Sequence, residues 1–335
     1  MATAAPAGQH LVVIGASAGG VEALRDLIAE LPDDFPAAVL VVLHIAPAGT
    51  SVLPQILQRA GKLLASSALD GEPIVGGHIY TAPPDCHLTV EDGRIAVRRG
   101  PRVNGHRPAI DSLFRSAADA WGVAVAGVIL SGVLDDGTAG LAAVKARGGR
   151  TLVQDPEEAL YAGMPRSAIE FVQPDEILSA RELGHALARF VTQPPPPAPP
   201  RGGGTPGETF LEVDRGASDR PQPGRHTGFS CPECSGAIWE TVENGREVYR
   251  CRIGHEFSPE TFHALQSDEV ERALWTALHA IEERAAAHRR LAERVRHRGG
   301  IRSAARMEER ANEAVQQAVI IRELLETLTT LEEAS

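Results

Sequence analysis

The chain has 335 residues, with 33 lysines and arginines against 44 aspartates and glutamates, a formal charge of −11, and 43% apolar and 23% charged residues. These are globular proportions and a length that suits two domains. The longest apolar runs, 37 to 43 and 123 to 130, fall well short of the roughly 20 residues a membrane-spanning helix needs. Residues 1 to 10 hold neither a basic n-region nor a long apolar stretch, so no signal peptide is read there and the expected compartment is the cytoplasm, without membrane insertion. Up to residue 192 there are 15 basic and 21 acidic side chains, and beyond it 18 and 23, so neither half offers a basic nucleic-acid surface.

From residue 10 the chain alternates short apolar runs with amphipathic stretches: LVVIGA, VEALRDLIAEL, AAVLVVLHI and SVLPQILQRA. That is the strand and helix rhythm of a doubly wound, mostly parallel α/β sheet. Between residues 66 and 99 turn residues separate short alternating runs, which predicts an antiparallel hairpin insertion. The rhythm resumes with a helix in AIDSLFRSAADAW, a buried strand in VAVAGVIL, a helix in TAGLAAVKARG and a strand in TLVQD. Residues 193 to 228 are rich in proline and glycine and read as a disordered linker. Beyond lie a compact cysteine-bearing segment, 229 to 258, and a helical hairpin over 259 to 335. Its predicted apolar face carries Val270, Leu274, Leu278, Ile281, Leu291 and Val295, then, past Gly299 and Gly300, Ile301, Val315, Ile320, Leu324, Leu325 and Leu328.

Three strand ends carry candidate chemistry. The first strand runs through Gly15-Ala16-Ser17-Ala18-Gly19-Gly20 into a helix, a G-x-S-x-G turn that exposes a serine and offers backbone N–H groups to an oxyanion. The bland alternative is a glycine-rich turn that packs tightly or binds phosphate. His44 ends the second strand, and the strand over 123 to 130 leads into Ser131-Gly132-Val133-Leu134-Asp135-Asp136-Gly137. Parallel strands bring all three ends to one edge, the arrangement of nucleophile, base and orienting acid. The alternative for either aspartate is a cap on the helix that begins near Gly137.

These residues resemble the catalytic domain of the chemotaxis protein-glutamate methylesterases (CheB), over about residues 8 to 192. Tyr80 to Leu88, Val103 to Phe114 and Gly163-Met164-Pro165 add to the resemblance. It implies Ser17 as nucleophile, His44 as general base and acid, and Asp136, which directly precedes Gly137, as the orienting carboxylate. It implies Ala18 and Val133 as backbone donors to the oxyanion, with His106, Arg107 and Met164 as substrate-side neighbours, Arg107 having a plain salt bridge as its alternative. The implied activity is hydrolysis of glutamyl γ-methyl esters of methyl-accepting chemotaxis receptors, and deamidation of receptor glutamine, with no cofactor for catalysis. Two competing readings are a non-catalytic scaffold and a serine esterase for another carboxyl ester. Leu134 stands where the family has glycine, and leucine dislikes the backbone conformations glycine allows. The first strand begins about ten residues in, so no receiver domain is expected ahead of it and constitutive activity is the default expectation.

Cys231, Cys234, Cys251 and His255 form C-x2-C-x16-C-x3-H, the spacing of two knuckles closing a tetrahedral site for a structural Zn2+. Four protein ligands leave no open position. The terminal helices are expected to pack, dimerise or dock to a signalling partner.

Overall fold

Apolar runs at the centre of the first half become short buried strands, the backbone of each satisfied by a parallel neighbour on either side. The computed structural model describes residues 9–45, 51–192, 194, 224–243 and 245–332. It divides into two units, Met1–Phe262 and His263–Ser335. In chain order the first begins with β1 (Leu11–Ala16), α1 (Gly20–Ala29), β2 (Ala38–Leu43), α2 (Leu53–Ala60), β3 (Leu64–Ser67), β4 (His78–Thr81), β5 (His87–Glu91) and β6 (Arg94–Arg98). It continues through α3 (Ile110–Trp121), β7 (Val125–Ile129), α4 (Thr138–Ala146), β8 (Arg150–Gln154), α5 (Gly163–Val172), β9 (Glu176–Leu178) and α6 (Ala180–Thr192). Four further strands, β10 (Arg225–Ser230), β11 (Ala237–Glu243), β12 (Arg246–Cys251) and β13 (Glu256–Phe257), precede α7 (Pro259–His297) and α8 (Ile301–Glu332).

The main sheet is seven-stranded, ordered β3-β4-β2-β1-β7-β8-β9, and every pairing in it is parallel. The central strands β1, β2 and β7 are buried throughout, as expected for a sheet covered on both faces. Alternate residues divide between two cores: Leu11, Val13, Leu40 and Val42 pack with Phe114 and Trp121 of α3, and Val12, Ile14, Val39 and Val41 with Leu24 and Leu27 of α1. The chain leaves β1 toward β2 on one side and returns to β7 on the other. The crevice at the carboxyl ends of these strands is therefore the switch point where doubly wound sheets place ligands.

The hairpin insertion is present over part of its expected span. Of the segment 66 to 99, only β5 and β6 form the antiparallel hairpin, turned at Asp92-Gly93 with both φ values positive. His78–Thr81, buried over most of its length, inserts instead as β4 in parallel between β3 and β2. The stretch read as a linker from 193 to 228 lies outside the described residues except for residue 194 and residues 224 to 228, and β10 has begun by Arg225. β10 to β13 form a four-stranded antiparallel sheet.

In the second unit the described helices run antiparallel, with Arg284 donating to Gln317 and ion pairs joining Arg296 to Glu308 and Arg322 to Glu282. The seam differs from the face predicted from large apolar residues: Val270, Leu291, Ile301, Ile320 and Leu324 are exposed. The buried positions are Leu278, Ala285 and Ala292 on one helix and Ala304, Ala311, Ala318 and Leu325 on the other, each set spaced by seven, with Ala314 buried beside the second set. That period keeps a seam facing its partner. Alanine, weak in a hydrophobicity pattern, is what lets the two backbones approach.

Candidate active site and metal cluster

Ser17 follows β1 directly, and the last β1–β2 pair in register is Ala16 with Leu43, so Ser17 and His44 are the next residues along adjacent strands. The His44 N–H donates to the Ala16 carbonyl at 3.0 Å, and the Ser17 N–H to the Ser131 carbonyl at 2.9 Å, tying all three strand ends together. His44 Nε2 lies 2.8 Å from Asp136 Oδ2, with both side chains buried. An ionised acceptor at that distance fixes the imidazole proton on Nε2 and leaves the Nδ1 lone pair free for a hydroxyl proton. Nδ1 is buried and has no partner among the described residues.

The two adjacent aspartates separate cleanly. Asp136 accepts from His44 and the Ile110 N–H (2.7 Å) at Oδ2, and from the Asp111 N–H (3.4 Å) at Oδ1. It thus caps α3 rather than the helix after Gly137, and the positive end of α3 favours its anion. Burial alone would push this carboxyl up, but His44, His106 and the Ile110 N–H hold it well below the usual carboxylate range. Asp135 turns the other way, accepting from Ser258 Oγ (2.9 Å), Thr261 Oγ1 (2.7 Å) and Arg246 (3.2 Å). A third acid, Asp111, is pushed up to about 7 by burial and by the Asp136 charge.

His106 stacks on His44, with ring centroids 3.6 Å apart and 15° between planes. Burial and the neighbouring His44 push it down to about 4, so at neutral pH an uncharged ring covers the His44 imidazole. Met164 is fully buried, donates its N–H to the Gly132 carbonyl at 2.9 Å, and fills with its sulfur the space a Gly132 Cβ would need. It forms the floor of the loop carrying Val133 and does not face solvent. Arg107 is committed to Asp85 through Nε (2.9 Å) and to the Gly100 carbonyl (2.7 Å), which favours its salt-bridge reading.

Around the serine, Ser131 Oγ donates to the Ala18 carbonyl at 2.8 Å and accepts from the Tyr161 N–H at 3.0 Å. Leu134 takes a left-handed φ of 60°, as its place in the glycine-rich loop implies, and is partly exposed. A leucine there carries about 1–2 kcal/mol of strain. Leu134→Gly is therefore expected to raise stability by about 1 kcal/mol, checked by urea unfolding at neutral pH.

Cys231, Cys234, Cys251 and His255 present ligand atoms all within 4.8 Å of one another. Cys231 Sγ and Cys251 Sγ lie 3.6 and 3.5 Å from His255 Nδ1, and Cys234 Sγ lies 3.7 Å from Cys251 Sγ. A tetrahedron with bonds of about 2.3 Å has edges of about 3.8 Å, and these three separations are close to it, so the three thiols and the imidazole could hold a metal ion.

Sequence reasoning missed Asn104 and Ser131 as parts of the site. Asn104 Nδ2 donates to Asp136 Oδ1 and Asp111 Oδ2, both at 3.1 Å, and the residue is buried. The signal available was the Asn104-Gly105 dipeptide: both residues have positive φ and Val103 and His106 pair across them, a tight turn that an asparagine tolerates.

A doubly wound domain with serine, histidine and aspartate at neighbouring strand ends defines a class of acyl-transfer fold and site. The CheB methylesterase family model matches residues 12–187, and the chain belongs to that family. The protein-glutamate methylesterase/protein-glutamine glutaminase of Symbiobacterium thermophilum is 39% identical over 184 residues, 55% of this chain and 51% of that protein. Protein-glutamate methylesterase/protein-glutamine glutaminase 4 of Myxococcus xanthus is 42% identical over 178 residues, 53% of this chain and 50% of that one. The chain spans about half the length of these curated relatives. The crystal structure of the Thermotoga maritima CheB methylesterase catalytic domain superposes with a TM-score of 0.52 at 35% identity, covering 54% of this chain and 98% of that one. The family match ends before β10.

Proposed function

We propose that the chain is a protein-glutamate methylesterase acting on γ-methyl glutamyl esters of methyl-accepting chemotaxis receptors in the cytoplasm. The observation that carries this is the buried His44–Asp136 pair at the strand edge beside Ser17. The Ser17 hydroxyl attacks the ester carbonyl carbon while His44 takes its proton, and the oxyanion is held by the backbone N–H groups of Ala18 and Val133. Collapse breaks the C–O bond, and His44 returns the proton to the departing methanol. Water then attacks the acyl-serine with His44 again as base, freeing glutamate and restoring the serine. The same steps with ammonia as leaving group would deamidate receptor glutamine. No helix among the described residues is long and apolar enough to cross a membrane.

A substrate panel separates this reading from its competitors. Methanol release from a methylated receptor fragment supports it; turnover of simple carboxyl esters alone points to another esterase, and no turnover of either points to a scaffold.

The cysteine cluster is read as a structural zinc site, closed by four protein ligands, which stabilises a small sheet with a small core. Metal analysis of the purified chain is expected to return one zinc per chain and, for Cys234→Ser, a clear loss; a metal-free wild-type chain refutes the reading. The exposed Val270, Trp275, Leu291, Ile320 and Leu324 on the terminal helices favour self-association. Light scattering of the full chain is expected to give a dimer mass that falls to the monomer in Ile320→Glu/Leu324→Glu.

A further inference from the structure

The catalytic domain and the cysteine-bearing sheet meet at the acid of the triad. Asn104 uses every polar group of its side chain there: its two amide hydrogens go to Asp136 and Asp111, and its Oδ1 accepts the Ser258 N–H at 2.9 Å. Its own N–H donates to the Glu256 carbonyl at 2.7 Å. Among the described residues Asp136 Oδ1 otherwise receives only the long Asp111 N–H bond, so Asn104 at Oδ1, together with the Ile110 N–H at Oδ2, fixes the rotation of the carboxylate that orients His44.

Both groups that hold Asn104 lie just past a metal ligand. Glu256 follows His255 directly, and Ser258 is two residues further on. Glu256 is anchored in turn: its N–H reaches the Arg102 carbonyl at 3.2 Å, and its buried carboxylate lies between Arg115 (2.6 Å) and Arg250. Burial would raise that carboxyl, and the two guanidinium groups hold it below its ordinary range. Asp135 grips the same segment through Ser258, Thr261 and Arg246. The neighbouring acids thus form a joint, Asp136 facing the base and Asp135 facing the sheet.

We propose that Asn104 is a positioning residue for Asp136, held by the backbone around Glu256 and Ser258, so that metal loading at Cys231, Cys234, Cys251 and His255 sets the turnover rate of the serine site. The proposal rests on the triad reading above. The metal fixes the Cys251–His255 knuckle, whose Cys251 N–H bonds the His255 carbonyl and Gly254 N–H the Cys251 carbonyl. Its loss releases the chain that delivers both partners of Asn104. The carboxylate then rotates and the base loses its alignment, while substrate contacts made elsewhere are kept.

The test is esterase kinetics of the full chain when zinc-loaded, after chelation with metal loss verified, and after zinc return, alongside Asn104→Ala treated identically. Zinc removal is expected to lower wild-type kcat about 10- to 100-fold with KM within about twofold, reversibly. Loaded Asn104→Ala should show a similar kcat loss and respond little to zinc. An unchanged wild-type kcat after metal loss overturns the proposal, as does an equal zinc-dependent factor in both proteins. Thr261→Val, which loosens the grip on Asp135 from the other side, guards against a folding defect at Asn104. It should raise the zinc concentration giving half-maximal activity, and no shift counts against the coupling. Loaded Ser17→Ala is the separate control: if it turns over ester as fast as wild type, the triad reading fails whatever zinc does, and a wild-type chain with no serine-dependent turnover overturns both.

Discussion

Ser17→Ala is expected to lower ester hydrolysis by about 10³- to 10⁶-fold while leaving the fold intact. The size follows from what the hydroxyl alone supplies: with it gone, no acyl-serine forms, and only binding and the oxyanion donors remain. The fold is spared because the backbone of Ser17, not its hydroxyl, ties the strand ends together, its N–H bonding the Ser131 carbonyl. Alanine keeps that bond and the Cβ, which lies 2.9 Å from where a Gly132 Cβ would stand. The check is kcat/KM beside a thermal melt. A variant that keeps a tenth of wild-type activity removes Ser17 from the chemistry.

Asp136→Asn should cost about 10⁴-fold in kcat, and Asp135→Asn far less. The pair is adjacent and chemically identical, so only geometry separates them. Asp136 Oδ2 takes both His44 and the Ile110 N–H while Oδ1 takes Asn104 and the Asp111 N–H, so an asparagine sets its N–H against donors at one of the two positions, and turned to accept from Asn104 and Asp111 it presents that N–H to an imidazole that needs an acceptor. The ring then loses the tautomer that leaves Nδ1 free. Asp135 contacts Ser258, Thr261 and Arg246, so its loss loosens the cysteine-bearing sheet by about 1–3 kcal/mol and reaches the chemistry only indirectly. Pre-steady-state kinetics of both variants with urea unfolding of each gives the comparison; equal losses of kcat would mean that the assignment of the acid is wrong.

The doubly wound sheet was legible because its strands are uniform apolar runs punctuated by glycine turns, and chain order puts Ser17, His44 and the acid pair at one edge. Preferring Asp136 needed the family pattern, since spacing treats the two acids alike. The cysteine spacing was legible because two short knuckles at that separation can close on one another, and the four ligand atoms lie within 4.8 Å. Less visible were His78–Thr81, too short and too continuous for its pairing direction to be read, and the alanine seam of the terminal helices, whose repeat of seven is carried by a residue that hydropathy undervalues. Asn104 was hidden for a different reason: its partners Ser258 and Glu256 lie about 150 residues away, and hydrogen bonds across that separation leave no local signal.

The most direct measurement is methanol released from a methylated chemoreceptor cytoplasmic fragment, by the wild-type chain and by Ser17→Ala at equal concentration. The account predicts stoichiometric release, one methanol per methyl ester, from the wild type and none above background from the variant. Release of equal size from both, or from neither, would contradict it.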